Sequence, residues 1–349
     1  MKHDDHRVKN GGHSRRVTMT DVAQLAGVSI ATVSNTLNER PGVSDEVRAR
    51  VWAVASGLGY RRNTLAQELR SGFSKTLGLA LVDVSNPFYA DLAKGVIGVA
   101  EGEGYAVFVA HVGPSSDHLD EISGTFLDRR LAGMLFTSLT NADAPTLRRL
   151  IDLNVPFVKL VRDVAGVDAD WVGIDDFAGG VELGQHLAEI GCQRVCIVGG
   201  PRDSNASHNR LLGCKAGLAS NGIEILNAGD ETLTGLPIRA SGNERAHKVL
   251  DRFGRVDALV GGNDVIAFGV LDACAERGIE VPRDAVVAGF DNMSLSHVGP
   301  LQLTTVDVPR EEIGHQGARF LIDRIQGFSG SGRRKVLEHR LMIRDTTNR

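Results

Sequence analysis

Thr20 to Asn38 reads TDVAQLAGVSIATVSNTLN. Thr20 suits the cap of a first helix whose apolar positions Val22, Ala23, Leu25 and Ala26 face inward, and Gly27 can take the positive φ that ends it. Ser29 then caps a second helix after only a few residues, the spacing of a helix-turn-helix. On that helix Val33 and Leu37 lie four apart and close against the first, leaving Ile30, Ala31, Ser34, Asn35 and Asn38 on the opposite face. Small and amide side chains on an outward face suit a DNA major groove, which offers donors, acceptors and thymine methyls. A helix pair alone serves equally as a hairpin in an ordinary core, so the flanking chain has to discriminate.

Next comes a Pro-Gly turn, NERPGVS, and a third helix from Ser44 to about Tyr60, with Asp45 and Glu46 in its first turn and Val47, Val51, Val54 and Leu58 at helical spacing. YRRNTLAQELRSG, Tyr60 to Gly72, is too short to hold a helix alone and reads as a linker that folds when a partner holds it. Residues 1–16, rich in His, Gly, Lys and Asp without periodicity, read as a disordered tail.

From Lys75 the texture becomes strand and helix in alternation. TLGLALVDV, YAVFVAHV, AGMLFTS and PFVKLV read as buried strands separated by helices; the same beat restarts at WVGIDD and continues through RVCIVGG, a weak strand near Glu224 to Ala228, ALVGG and AVVAGFD. Two runs of βαβ units imply two doubly wound parallel-sheet lobes, with a ligand cleft beyond the carboxyl ends of the strands.

Charge is divided unevenly. Residues 1–72 carry 11 Lys and Arg against 7 Asp and Glu, whereas the remainder carries 28 against 36. A basic front on an acidic body fits a chain of which only the front meets phosphate. Cys192, Cys196, Cys214 and Cys274 form no CxxC pair and read as buried thiols. No apolar signal region or membrane-length run is present, so a cytoplasmic protein is expected.

In this order, TDVAQLAGVSIATVSNTLN, RPGVSDEVRARV, LGYRRNTLAQELRSG, ALVDVSNPFYADLAKGV, GGNDVIAFGVLDA, VAGFDN and LTTV make the chain resemble the lactose-repressor/galactose-repressor family of bacterial transcription regulators from about Val17 onward. The resemblance implies a helix-turn-helix domain over 17–61, a hinge helix and linker over 62–74, and an α/β core of two periplasmic-binding-protein-like lobes over 75–349. It implies a homodimer that reads double-stranded DNA at a palindromic operator, acts most often as a repressor, and answers to a small-molecule effector, a sugar or related metabolite, with no cofactor or metal. Ile30, Ala31 and Asn35 match base-reading positions. Thr18, Thr20, Ser29, Thr32, Ser34 and Asn38 match groove-edge or phosphate positions, and Asn63, Ala66 and Leu69 match the hinge whose leucine wedges into the minor groove.

Asn86, Phe88, Arg162, Arg210, Asn263 and Asp291 match the family's effector positions. These positions also admit structural uses: Asn263 or Asp291 as a helix cap, Arg210 as a bridge between lobes without ligand, Phe88 as dimer-interface packing. Three positions depart from the family. Asn35 stands where many members have Arg, which shifts the preference from guanine toward adenine. Val161 and Val308 stand where many have polar residues, which argues for a ligand less hydroxylated than a hexose. An enzyme and a transport receptor are the rival classes. Neither a Walker loop, HExxH, GxSxG nor a correctly spaced GxGxxG occurs, and a transport receptor would lack the DNA-reading head.

Overall fold

Three short helices, α1 (Met19–Ala26), α2 (Ile30–Leu37) and α3 (Asp45–Gly57), form the first of two units, Met1–Ser71 and Gly72–Arg349. The computed structural model describes residues 17–38, 40–60, 74–113, 118–230, 234–299 and 301–348. Asn63, Ala66 and Leu69 of the expected hinge, and the tail 1–16, lie outside the described residues.

In the first unit Val22, Ala23, Ala26, Val33, Leu37, Val51 and Ala55 close one small core. Two expectations fail here. The cap of α1 is Thr18, not Thr20: the Thr18 N–H and hydroxyl both donate to Asp21 Oδ2, at 2.8 and 2.7 Å, and its Oγ accepts from the Asp21 N–H at 3.4 Å. The acidic residue three places on closes this reciprocal box, which Thr20 has no equivalent partner to make. Leu25, expected inward, is 64% exposed because it falls to one side of the Val22–Ala23–Ala26 stripe. Gly27 does end the helix at φ 65°, and Ser29 does cap α2.

The second unit carries two sheets. The first has the order β2-β1-β3-β4-β5-β10, all parallel, from β1 (Thr76–Leu81), β2 (Ala106–His111), β3 (Gly133–Phe136), β4 (Phe157–Leu160), β5 (Trp171–Ile174) and β10 (Arg334–Leu337). The second has the order β6-β7-β8-β9-β11, from β6 (Val195–Val198), β7 (Ala258–Gly261), β8 (Val286–Asp291), β9 (Thr304–Asp307) and β11 (Arg340–Met342); only β11 runs antiparallel.

WVGIDD therefore does not begin the second lobe. Its strand, β5, pairs with β4 through Lys159↔Trp171 and Leu160↔Val172, and the chain crosses only afterwards, into α7 (Asp176–Glu189). The weak strand near Glu224 to Ala228 is reduced to one bridge, Val195↔Ile225. Beside it the Asn227 side-chain amide takes the place of a neighbouring strand, accepting from the Ile197 N–H at 3.0 Å and donating to the Ile197 carbonyl at 2.7 Å.

The first-lobe helices α4 (Pro87–Gly102), α5 (Leu119–Asp128) and α6 (Ala144–Asp152) follow β1, β2 and β3. In the second lobe α8 (Asn205–Ala219), α9 (Arg239–Phe253) and α10 (Asp264–Glu276) follow the crossing, and α11 (Arg310–Ile325) returns to pack on α4. That pair touches through glycines. A Cβ on Gly95 would lie 2.0 Å from the Glu311 carbonyl, and one on Gly314 2.1 Å from that of Leu92. The chain then adds β10 to the first sheet and β11 to the second, so several segments tie the lobes together. All four cysteines are buried, and burial pushes the Cys196 and Cys214 thiols up to about 12.

Candidate functional site

On α2, Ile30 is 51% exposed and Ala31 is exposed beside it, while Asn35 is half-buried with an amide that bonds to no described residue. The polar residues around them are partly committed to the helix itself. Ser29 Oγ accepts from the Thr32 N–H at 3.0 Å, its hydroxyl meets that of Thr32 at 2.8 Å, and Asn38 Nδ2 donates to the Ser34 carbonyl at 2.7 Å. These bonds leave hydroxyl donors and acceptors facing outward on a stiff, capped helix. Thr20 sits exposed in the first turn of α1. Thr36, which the sequence reading did not place inward, is fully buried and receives Arg48 on its carbonyl at 3.4 Å.

The second unit opens a cavity of about 300 Å³ at the carboxyl ends of β1, β4, β6, β7 and β8, lined by Asn86, Phe88, Arg162, Arg210, Asn263 and Asp291. All six residues singled out from the sequence thus meet in one place, which is where a two-sheet α/β core gathers its loops. One of the structural uses holds as well, the helix cap at Asn263, and Asn86, for which none was expected, is a second cap. Asn86 and Asn263 cap α4 and α10, accepting from the Phe88 and Ile266 N–H groups at 3.0 and 2.9 Å. Arg210 does not bridge the lobes: its Nε meets Asp176 at 2.8 Å and its Nη1 meets Asp291 at 3.0 Å, both carboxylates of the second lobe, and its plane lies over the Phe290 ring at 3.9 Å.

Electrostatics follow from this burial. Burial lifts the Asp291 carboxyl to about 6 against the pull of the Arg210 and Arg310 guanidinium groups, and lifts Asp176 against Arg210. Although burial lowers it, Arg210 is held above the ordinary arginine value by those same carboxylates. Beneath them Asp264 is fully buried and accepts from the Met293 N–H at 2.8 Å, the Thr305 hydroxyl at 2.6 Å and the Ser296 hydroxyl. Burial, then the charge of Asp291, pushes it up to about 7.

Sequence reasoning missed several lining residues, among them Asp83, His111, Ser204, Ser207 and the run Leu236–Ile238. Asp83 lies inside the quoted VDVSNPFY stretch and His111 ends the YAVFVAHV strand, Ser204 and Ser207 sit at the start of α8, and Leu236–Ile238 lie in a loop with no periodic signal. It also missed Arg310, whose Nε meets Asp91 at 3.1 Å on α4 and whose Nη1 donates to the Asp291 carbonyl, joining the cavity floor to the first lobe. Val161 lines the cavity as expected. Val308 does not: it is 1% exposed in the hydrophobic core, so it bears on packing and not on ligand polarity. Among the described residues no three His, Cys, Asp or Glu side chains are grouped to hold a metal ion, and no helix is long and apolar enough to cross a membrane.

A capped helix-turn-helix joined to a two-lobed α/β core with a polar cleft defines a DNA-binding regulator with a sensing domain. Residues 18–63 match the family model for bacterial regulatory proteins of the lacI family, and residues 185–347 that for a periplasmic binding protein-like domain. The chain is 31% identical to the transcriptional regulator DegA of Bacillus subtilis over 95% of its length and 98% of that protein's. It is 33% identical to the regulator CelR of Thermobifida fusca, again over 95% and 98%. Among solved structures it is similar to the Lac repressor dimer bound to operator and the anti-inducer ONPF, with TM-score 0.86, 27% identity, and coverage of 95% of this chain and 99% of that one. A complex of CelR with cellobiose gives TM-score 0.72 at 30% identity, covering 95% and 100%. The chain belongs to the lacI family of bacterial transcriptional regulators.

Proposed function

We propose that the protein is a cytoplasmic, non-enzymatic repressor that binds a palindromic operator as a homodimer and is switched by a small metabolite, a sugar or related compound, held in the cleft. One observation carries the reading: side chains from strand ends in two sheets line a single cavity, in a chain that also bears a capped helix with an outward face of Ile30, Ala31 and Asn35. Ile30 and Ala31 meet thymine methyls, Asn35 favours adenine, and Thr18, Thr20, Ser29, Thr32, Ser34 and Asn38 fix the helix against phosphates and groove edges. Asn63, Ala66 and Leu69 act as the hinge that enters the minor groove.

The ligand acts through its different affinity for two arrangements of the lobes, a coupling of roughly 1 to 3 kcal/mol. Arg310, bonded to both the cleft floor and α4, moves with either lobe and transmits that difference. Gel retardation of genomic fragments tests the proposal. A fragment carrying a palindrome is expected to be retarded specifically, to lose retardation with Ile30→Glu, and to change affinity when a cleft ligand is added; retardation indifferent to sequence and to Ile30→Glu would overturn it.

A further inference from the structure

Arg162 follows β4 into the cavity, is 5% exposed, and its guanidinium donates to no acceptor among the described residues; its Nη1 has neither partner nor solvent contact. The other charged groups there hydrogen-bond elsewhere. Arg210 holds Asp176 and Asp291, and Asp83 accepts from the Ser85 N–H at 2.9 Å and hydroxyl at 2.7 Å. Asp143, a carboxylate close enough to feel the Arg162 charge, turns Oδ2 to the Thr140 N–H and hydroxyl at 2.7 and 3.0 Å and makes no hydrogen bond with Arg162. Val161, immediately before it and lining the same cavity, brings no carboxylate.

A guanidinium stays charged, and a buried charge whose donors find no acceptor is costly. Whatever enters the cleft has to answer it. A hydroxyl accepts a hydrogen bond without offering charge, whereas a carboxylate or phosphate offers both and matches the planar fork of the donors. We infer that the effector carries an anionic oxygen group, carboxylate or phosphate, received by Arg162, while Phe88, Leu236 and Ile238 cover its uncharged body. This rests on the cleft being the effector site.

The test is thermal unfolding of the full chain with glucose, gluconate, a glucose phosphate and inorganic phosphate, beside the variants Arg162→Met and Ile238→Trp. An anionic compound is expected to stabilise at a concentration roughly tenfold or more below that of glucose, and Arg162→Met to erase the difference. Preference for gluconate assigns a carboxylate, and preference for the glucose phosphate a phosphate. Without ligand, Arg162→Met is expected to melt at or above wild type, because it removes an unanswered buried charge; melting several degrees lower overturns the inference even where no compound binds. Stabilisation by glucose alone, lost in Ile238→Trp, keeps the cleft reading and overturns this one. Stabilisation that survives both variants overturns both.

Discussion

At Arg210 one guanidinium answers two buried carboxylates while stacked on Phe290, so its removal strands both Asp176 and Asp291. Arg210→Met should cost about 3 to 5 kcal/mol in urea unfolding, the usual penalty for orphaning a buried charge; a loss below about 1 kcal/mol would mean that water already satisfies the carboxylates. Asp264 gives a pH signature. Its carboxyl, 3.8 unperturbed, is pushed up to about 7 in the fold, so the folded chain holds a proton that the unfolded chain has released. Stability from this group is therefore present at low pH and falls as pH rises from about 4 through 7, and Asp264→Asn should flatten that part of a pH series of melting temperatures. Much of the cleft was legible residue by residue, since Arg210, Asn263 and Asp291 sit in distinctive local strings. Asp176 was not, because a partner brought by a chain crossing leaves no local pattern.

The first helix shows how far a pattern carries at the level of elements. Its existence was legible from Val22, Ala23 and Ala26, but its start was not, because Thr18 and Thr20 are equally good capping residues and only the partner Asp21 separates them. Thr18→Ala should cost about 1 kcal/mol of stability in the head, whereas Thr20→Ala should leave stability within about 0.5 kcal/mol and act on DNA affinity alone. Equal losses would return the cap to Thr20. The α4–α11 contact makes a similar case: Gly314→Ala puts a methyl against the Leu92 carbonyl and should destabilise by roughly 1 to 3 kcal/mol in denaturant unfolding. Helix and strand alternation was readable almost throughout. What it did not reveal was where the chain changes lobe, because a βαβ beat sounds the same on either side of a crossing.

For the whole molecule, the segments that tie the lobes together make the cleft a place where a ligand and a change of lobe arrangement meet. Arg310 lies on that path, and Arg310→Met should leave ligand affinity within a few-fold while reducing the effect of ligand on DNA affinity, the two measured by calorimetry and by retardation. An unchanged effect on DNA would place the coupling elsewhere. This family member is expected to read a palindrome with a half-site of its own, because Asn35 stands where many members carry arginine, beside apolar Ile30 and Ala31. Binding selection on randomised duplexes with the full chain tests it most directly. The expected product is an enriched palindrome with adenine and thymine where Asn35, Ile30 and Ala31 reach, bound by a dimer and weakened by salt. Enrichment of the family's guanine-bearing half-site unchanged, or of no sequence at all, would contradict it.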